Sequence, residues 1–293
     1  MTLELQKNNI EFIENANLKD FCTIKCDEKA KLIVFPKNTA QIKKVISICK
    51  LFDKQFFVLG AGSNLVFLEN DYVFIKLSKL NQVKMSKNSV ICGAGASLID
   101  VCEKCQNFGL SGLEGLYGIP ATVGGACVMN ARAFGCEIAD RISFVKCLTS
   151  DGKIVKYTKN QCNFAYKQSI FQNSNLIIFE VWFSLKEKNK EIIATKMQNF
   201  LNKRLKTQPV GFSAGCIFKN CHCVIAGKAI ERLGFGGFKF RNFEVSKKHC
   251  NFILNSGNGK GKDLKILIEK IKRKMYNKRK IKLETEVIFV GET

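Results

Sequence analysis

The N-terminal part of the chain predicts a strand, a helix and a second strand that leads directly into a glycine loop. The run KLIVFP is typical of a buried strand, and Thr39 can cap the helix that follows. The apolar residues of that helix share one face; they are Ile42, Val45, Ile46, Cys49 and Phe52. QFFVLG predicts the second strand, which continues into GAGSNLV. Strand, helix, strand and glycine loop together form a layout found where proteins handle phosphate groups.

The loop contains the residue types that such a role needs. Gly60 and Gly62 can adopt backbone angles closed to other residues, and they have no side chain to hold a ligand away from the main-chain N–H groups. Ser63 and Asn64 add neutral hydrogen-bond donors. The loop is neither GxGxxG nor a Walker sequence, because it lacks the third glycine and the Lys-Ser/Thr ending. A phosphate-binding loop and a simple tight turn both remain open.

A second glycine-dense stretch runs from residue 109 to residue 135, GLSGLEGLYGIPATVGGACVMNARAFG. Apolar residues separate its glycines, so it is neither a flexible linker nor a regular strand. Such a composition fits backbone that wraps closely around a large, flat or extended ligand. It fits tight connections in a β-rich domain equally well.

Pattern shifts along the chain predict three domains. NLIIFEVWFSL ends a middle α+β domain, and a helix is expected over residues 192–206. A third region contains GCIFKN, the helix AGKAIERLGF and a long basic helix from Lys262, and the terminal LETEVIFV alternates like a strand. The predicted domains are therefore residues 1–77, 78–188 and 189–282, and a strand within 283–293 is expected to return to the first domain.

The formal net charge of +22 permits an anionic partner such as nucleic acid or a phosphorylated ligand. The basic residues are mostly lysines spread through the whole chain, however, and the aromatic residues lie in strand-like apolar runs. A solvated basic surface and no nucleic-acid partner are therefore expected. No stretch approaches the ~18 apolar residues that a membrane span needs, and the first residues show no basic region followed by an apolar run, so we expect a cytoplasmic protein without membrane insertion. A monomer is also expected.

Fourteen cysteines are scattered through a chain that is long for a disulfide-stapled scaffold, which favours reduced thiols. The CEKC pair, Cys102 and Cys105, falls within a predicted helix and has no second CxxC partner. The cluster CHC at residues 221–223 could supply further ligands. Tetrahedral zinc sites usually show two recognisable pairs, so no metal site is expected.

Cys216, in GFSAGCIFKN, has two possible roles. The small residues before it let the backbone approach a ligand, and Lys219 and Asn220 follow with a cation and an amide. These features suit a proton donor in an active site. Free cysteine also behaves commonly as a small buried hydrophobe, so a packing role stays open on these ten residues alone.

Seven segments in this order resemble one known family. They are VLGAGSNLV, GLEGLYGIPATVGGACVMNARAFG, YKQSIF, SAGCIFKN, AGKAIERLG, VSKKHCNFILN and LETEVIFVG. The chain resembles the UDP-N-acetylenolpyruvoylglucosamine reductase family from about residue 20 to residue 291, and VGGACVMNA is similar to the flavin loop of the shorter subtype. The resemblance implies an α+β fold: a two-part FAD-binding region of the PCMH/vanillyl-alcohol-oxidase-like kind and a C-terminal α+β substrate-binding domain.

The resemblance also implies a reaction and its cofactors. NADPH reduces FAD, and flavin N5 then delivers hydride to the enolpyruvyl ether of UDP-N-acetylglucosamine enolpyruvate. A protein acid protonates the neighbouring carbon, which gives UDP-N-acetylmuramate for peptidoglycan precursor synthesis. Hydride addition builds negative charge on the substrate carboxylate, so cationic or hydrogen-bonding groups near that carboxylate lower the barrier.

Cofactor contacts are implied for both glycine stretches. In the first they are Gly60, Ala61, Gly62, Ser63, Asn64 and Leu65, and in the second Gly118, Ile119, Pro120, Gly124, Gly125, Val128, Asn130, Ala131 and Phe134. The implied substrate-binding residues are Tyr166, Lys219, Asn220 and Arg132.

The implied catalytic residues are Cys216, Lys167 and Glu286, and two of them depart from the family pattern. Cys216 stands where the family has serine and sometimes cysteine, and a thiol gives up its proton more readily than an alcohol, so the role of acid is retained. Lys167 stands where the family has arginine; it keeps the charge but loses the planar pair of donors. Arg132 replaces a common glycine, and we hypothesise that it partly supplies the missing guanidinium. His249 is assigned no catalytic part.

Two other functions serve as alternatives. A related FAD-dependent oxidoreductase with the same flavin fold predicts no counterpart of GCIFKN or LETEV, and both segments are present. A basic nucleic-acid-binding protein predicts positive charge concentrated with aromatic residues on one module, which this sequence does not show.

Overall fold

The computed structural model describes residues 1–221 and 224–291, and over this part of the chain it contains seven α-helices and eighteen strands. The helices are α1 Thr2–Lys7, α2 Thr39–Leu51, α3 Leu98–Phe108, α4 Val123–Val128, α5 Lys190–Thr207, α6 Ala226–Arg232 and α7 Gly261–Arg279. The strands are β1 Glu11–Asn17, β2 Lys29–Phe35, β3 Phe56–Leu59, β4 Leu65–Phe67, β5 Val73–Lys76, β6 Val83–Ser86, β7 Ser89–Gly93, β8 Leu110–Ser111, β9 Arg132–Ala133, β10 Cys136–Glu137, β11 Ile142–Leu148, β12 Ile154–Thr158, β13 Ile177–Ser184, β14 Lys186–Glu187, β15 Lys239–Phe240, β16 Phe243–Val245, β17 Ile253–Asn255 and β18 Ile288–Val290.

These elements form two compact units. Unit 1 comprises Met1–Glu14, Leu32–Gly60 and Tyr72–Arg204, and unit 2 comprises Asn15–Lys31, Ala61–Asp71 and Leu205–Thr293.

A sheet of order β1-β2-β5-β3 carries the predicted strand, helix and strand of unit 1. Strands β2 and β3 both pair in parallel with β5, and all three are apolar because parallel strands are covered on both faces. Helix α2 is confirmed, but its cap is Asn38 rather than the predicted Thr39. The amide oxygen of Asn38 accepts the N–H of Gln41 at 2.9 Å, and Thr39 is the first helical residue. Phe52 was predicted on the buried face, yet it lies after the last turn and is 41% exposed.

The second sheet of unit 1 is antiparallel, in the order β12-β11-β13-β7-β6. Its inward residues, such as Val145, Val181 and Cys92, pair across neighbouring strands and are fully buried. Helix α3, predicted from LIDVCEKCQNF, packs its buried Cys102 and Cys105 into the same core. The CEKC cysteines are thus core residues.

Unit 2 contains a small sheet of order β15-β16-β17 and the parallel pair β4 and β18. Helix α7 confirms the predicted basic helix: most of its charged residues are exposed, and its buried residues are Gly261, Leu264, Leu267, Ile268, Ile271 and Met275. LETEVIFV forms a strand only over Ile288–Val290; before it, Thr285 makes a single antiparallel bridge to Phe218. The shorter strand arises because the segment changes partners within a few residues.

Of the fourteen cysteines, thirteen fall in the described part of the chain, and all thirteen are free thiols. Burial raises the pKa of Cys49 and of Cys162 to about 11, so these thiols stay protonated and act as apolar packing groups. No group of three or more Cys, His, Asp or Glu is placed to hold a metal ion within residues 1–221 and 224–291. His222 and Cys223 of the CHC cluster lie outside the described residues. No described helix has both the length and the apolar character to cross a bilayer.

Candidate active site

The first predicted cofactor segment is the loop between β3 and β4. Gly62 has a φ of +68°, and a Cβ built on it would lie 2.1 Å from the carbonyl oxygen of Phe21. Only glycine therefore fits at this position. The neighbouring Ala61, Ser63 and Asn64 are half-buried, and Leu65 is buried as the first residue of β4.

The loop offers main-chain donors to a ligand. Across residues 1–221 and 224–291, no acceptor takes a hydrogen bond from the backbone N–H groups of Ala61, Gly62 or Ser63. Successive main-chain N–H groups in a turn of this kind suit phosphate oxygens. The donor set fits the pyrophosphate of a dinucleotide such as FAD.

Lys76 was missed from the sequence, although it ends the apolar strand β5. Its ammonium donates a hydrogen bond to the carbonyl oxygen of Gly60, the first loop residue, and burial lowers the Lys76 pKa. The sequence feature that could have revealed Lys76 is its position as the charged last residue of the apolar strand VFIK. Lys76 holds the start of the loop against the end of the sheet in unit 1.

The second predicted cofactor segment lies in unit 1 and is packed closely. A Cβ on Gly124 would lie 2.8 Å from the Ala94 side chain, and the Gly124 N–H donates to the Ala94 carbonyl at 2.8 Å. The Gly125 N–H donates to the hydroxyl of Thr122 at 3.3 Å. Because both amides have partners inside the fold, neither is available as an N–H donor to a ligand. The remaining predicted residues here are the half-buried Gly118, Ile119 and Val128, the exposed Pro120 and the buried Ala131.

Phe134 has its own contacts within unit 1. Its ring stacks on Phe200 of α5 with centroids 5.7 Å apart, and the guanidinium of Arg204 lies 5.3 Å from its centroid. Phe134 and Gly135 both have positive φ at the tip of the β9–β10 hairpin. This pair of angles is typical of a tight two-residue hairpin turn.

Tyr166 and Lys167 form the tip of a tight turn in unit 1. Ala165 and Gln168 exchange two backbone hydrogen bonds of 3.1 Å across it, and Lys167 has a φ of +56°. Tyr166 is 39% exposed, and the Arg132 guanidinium lies 5.7 Å from its ring centroid. The structure thus brings Arg132 next to the turn that carries Lys167.

Cys216 and Glu286 lie on neighbouring extended segments of unit 2, and both are half-buried. The Glu286 N–H donates to the carbonyl of Ile217 at 2.8 Å, and Phe218 bridges Thr285 in antiparallel register. Residues 216 and 286, seventy positions apart, therefore belong to one small piece of backbone framework.

Asn64 of the glycine loop joins the same framework. Its side-chain amide donates to the carbonyl of Glu286 at 3.0 Å, and its own carbonyl accepts the N–H of Ile288 at 3.0 Å. Unit 2 thus brings together Asn64 of the predicted cofactor loop, the segment of Cys216 and the segment of Glu286.

Comparison with known proteins identifies the family. An FAD binding domain model matches residues 30–158, and a model of the C-terminal domain of UDP-N-acetylenolpyruvoylglucosamine reductase matches residues 208–290. The UDP-N-acetylenolpyruvoylglucosamine reductase of Borrelia garinii is 34% identical over 284 residues, covering 95% of this chain and 93% of that protein. The chain belongs to the UDP-N-acetylenolpyruvoylglucosamine reductase family. It is an FAD-dependent oxidoreductase.

Two further relatives agree with this assignment. The UDP-N-acetylenolpyruvoylglucosamine reductase of Thermotoga petrophila is 36% identical over 269 residues, covering 90% of this chain and 94% of that protein. A crystal structure of the UDP-N-acetylenolpyruvylglucosamine reductase from Thermus caldophilus superposes with a TM-score of 0.80 at 32% identity, covering 96% of this chain and 98% of that one. The family resemblance, the fold class and the FAD cofactor predicted from the sequence are confirmed.

Two predicted substrate residues have partners within unit 2 of this reductase-family chain. The Lys219 ammonium pairs with the Glu284 carboxylate, and its side chain is 27% exposed. The side-chain oxygen of Asn220 accepts the N–H of Ala226 at 2.9 Å, the first residue of α6. Both contacts orient side chains that follow Cys216 closely in the chain.

Asn251 is a second residue that the sequence did not reveal. It is 3% exposed, its Oδ1 accepts the N–H of Phe218 at 2.9 Å, and its Nδ2 donates to the Phe218 carbonyl at 2.8 Å. Its own carbonyl accepts the N–H of Ile217 at 2.8 Å. Asn251 therefore holds the strand segment that carries Cys216, and the only signal was a polar residue within the apolar run CNFILN.

His249 is a structural residue in unit 2. Its Nδ1 accepts the N–H of Asn251 at 3.3 Å, and its ring packs on Phe252 with centroids 5.0 Å apart. Burial lowers the His249 pKa, which favours the neutral ring.

Unit 2 also contains a cavity of about 870 Å³ beside α7. Its lining is Glu28, Leu68, Glu69, Phe240, Lys260, Lys262, Lys265, Ile266, Glu269, Lys270 and Arg273. None of the predicted site residues lines it, so it is separate from the framework around Cys216.

Proposed function

We propose that this chain reduces UDP-N-acetylglucosamine enolpyruvate to UDP-N-acetylmuramate, with NADPH as the reductant, in peptidoglycan precursor synthesis. Membership of the reductase family supports the substrate class. The observation that carries the proposal is the framework of unit 2, in which the backbones of Ile217 and Glu286 are joined by a hydrogen bond of 2.8 Å. That bond links a potential acid, Cys216, to a potential carboxylate-facing group, Glu286, across seventy residues of chain.

The main-chain donors of Ala61, Gly62 and Ser63 would hold the FAD pyrophosphate, and the second glycine stretch would contact the flavin ring. FAD, when bound, supplies hydride to the enolpyruvyl double bond. The chain's own residues must then provide the proton and stabilise the charge that develops.

Cys216 is the proposed proton donor. The reduction adds a hydride to the terminal carbon of the enolpyruvyl group and a proton to the neighbouring carbon, and the thiol supplies that proton. The thiolate left behind regains a proton from solvent before the next turnover. The half-buried position of Cys216 allows both contact with substrate and reprotonation.

Lys167, Arg132 and Glu286 are proposed to act on the substrate carboxylate. Lys167 and Arg132 supply positive charge, which favours the electron-rich carboxylate of the transition state. Glu286 would place its carboxyl group near the substrate carboxylate, where it orients the compensating cation. Tyr166, Lys219 and Asn220 would complete the substrate contacts.

Separate measurement of the two half-reactions tests the proposal. Under anaerobic conditions the yellow protein should bleach with NADPH, and the flavin absorbance should return when UDP-N-acetylglucosamine enolpyruvate is added. UDP-N-acetylglucosamine, which lacks the double bond, is the matched control and should leave the flavin reduced. Bleaching followed by no response to the enolpyruvyl substrate would remove this function and favour another FAD-dependent oxidoreductase.

A further inference from the structure

Asn130 joins three separate pieces of unit 1. It is 1% exposed, and its φ of +40° lies in the left-handed region that asparagine tolerates better than most residues. Its Nδ2 donates to the carbonyl of Ala165 and to Oε2 of Glu137, each at 2.9 Å, and its Oδ1 accepts the N–H of Ala139 at 3.3 Å. Every polar group of this side chain is therefore used inside the fold.

One of these bonds holds the turn of Tyr166 and Lys167. The Ala165 carbonyl oxygen that accepts the hydrogen bond from Asn130 also accepts the Gln168 N–H across the turn. Lys167 has a positive φ, which costs a non-glycine residue about 1 kcal/mol and persists only where surrounding contacts impose it. The bond from Asn130 is one of those contacts.

The other bond reaches Arg132. Glu137 accepts from Asn130 through Oε2, and its Oε1 lies 3.1 Å from Nη1 of Arg132. Strand pairing places Glu137 directly opposite Arg132 in the β9–β10 hairpin. The Arg132 guanidinium in turn lies 5.7 Å from the ring centroid of Tyr166. Arg132 is therefore linked to Asn130 through Glu137 and contacts the turn that Asn130 also holds.

We infer that Asn130 is a positioning residue that fixes Lys167 and Arg132 in a single arrangement, so that two cations from separate segments present one surface to an anionic group of the substrate. The inference rests on the proposed function, in which both cations face the substrate carboxylate. Asn130 acts through its two N–H bonds and needs no contact with the substrate.

The hydrogen bonds at position 130 require an amide side chain. Both groups that face Nδ2, a carbonyl oxygen and a carboxylate oxygen, are acceptors only, and one NH₂ group can donate to both at once. A carboxylate at this position would repel Glu137 and leave the Ala165 carbonyl without its side-chain donor. Asn130→Asp therefore removes the bonds to Ala165 and Glu137 with almost no change in side-chain shape.

Three variants of the FAD-loaded protein test the inference. Asn130→Asp removes both donated bonds, and Asn130→Gly removes them without charge and without left-handed strain, in case the first variant folds poorly. Glu137→Gln keeps an acceptor for Asn130 and removes only the ion pair to Arg132. Asn163→Asp is the matched control, because Asn163 is an exposed asparagine of the same unit that also has a positive φ.

The structural readout is hydrogen–deuterium exchange of the peptide spanning residues 163–171. Asn130→Asp and Asn130→Gly should speed exchange of the turn amides about tenfold, because losing one buried hydrogen bond raises the population of the open turn by roughly that factor. Glu137→Gln and Asn163→Asp should leave it unchanged. This measurement does not depend on the identity of the substrate.

The kinetic readout is reoxidation of the NADPH-bleached flavin by UDP-N-acetylglucosamine enolpyruvate. Both Asn130 variants should keep the flavin, raise the substrate KM by about tenfold and also lower kcat, because misplaced cations bind the carboxylate less tightly and stabilise the transition state less. Glu137→Gln should show part of the KM effect without faster exchange.

Two results would overturn the inference. Unchanged turn exchange in both Asn130 variants would show that Asn130 does not hold the turn. Loss of flavin with unchanged turn exchange would make Asn130 a cofactor contact instead. A parent protein that the substrate fails to reoxidise would refute the proposed function, and the exchange data would still decide whether Asn130 positions the turn.

Discussion

The two units hold their parts of the candidate site in different ways. In unit 2 the segments of Cys216 and Glu286 are joined directly by main-chain bonds, to which Asn64 and Asn251 add side-chain bonds. The left-handed positions near them are glycines, Gly62 and Gly215. In unit 1 the turn of Lys167 is held by the side-chain amide of Asn130, and both residues have positive φ without being glycine. The difference teaches that exchanging the side chains of Cys216 or Glu286 leaves the main-chain bonds between their segments in place, whereas the arrangement of Lys167 and Arg132 in unit 1 depends on the identity of the Asn130 side chain.

The largest expected effect is on turnover in Cys216→Ala. General acid catalysis contributes about 10²–10⁴ in rate, so the variant should lose about a thousandfold in flavin reoxidation by substrate while NADPH still bleaches the flavin. The melting temperature should change little, because main-chain bonds hold this segment. Cys216→Ser is the control and should retain part of the rate. Reoxidation at the parent rate in Cys216→Ala would return this thiol to a packing role.

Gly62→Ala should produce the next largest effect, on stability. The new Cβ would meet the Phe21 carbonyl oxygen at 2.1 Å in a left-handed conformation, and we expect a loss of about 3 kcal/mol in the free energy of unfolding. Urea denaturation measures it. Gly135→Ala is the control, since Gly135 has a positive φ of 84° but no atom within 4 Å of its Cβ position. Equal losses in the two variants would mean that strain alone, rather than the close approach, makes Gly62 necessary.

Glu286→Gln should slow turnover by about a hundredfold, near 2.7 kcal/mol, if the carboxyl faces developing charge. The backbone of Glu286 bonds to Ile217 and Asn64, so its position should persist and the melting temperature should stay within about 1 °C of the parent. A large fall in melting temperature would show that the Glu286 side chain itself helps to hold the unit 2 framework. Steady-state kinetics and calorimetry on one preparation separate the two outcomes.

Lys167→Gly should have the smallest effect on stability and the opposite sign. Removing the side chain relieves a φ of +56°, and we expect a gain of up to about 1 kcal/mol together with weaker substrate binding. Chemical denaturation and the substrate KM are the measurements. Lys167→Arg is the control; it keeps the strain and the charge and should bind substrate at least as well as the parent. Destabilisation by glycine would show that the Lys167 side chain itself stabilises unit 1.

Much of the fold followed from local pattern. The strands KLIVFP and QFFVLG, the helix with CEKC and the long basic helix all lie where apolar periodicity predicted them, since each buries a face that its own sequence defines. The wrong predictions concern the ends of helices and the places where a strand segment changes its pairing partner. Asn38 took the cap predicted for Thr39, and LETEVIFV formed only a short strand because its first half bridges a different segment.

The sequence by itself determined the family, the order of its motifs and the presence of a thiol at position 216. Only the tertiary structure decided what Asn130 and Asn251 do, because the partners of a buried amide depend on which distant segments packing brings within hydrogen-bond reach. The bond from Asn130 reaches 35 residues along the chain, and those from Asn251 reach 33. Periodicity reports which face a residue buries, whereas its hydrogen-bond partners across such separations are set by the packing of the whole unit.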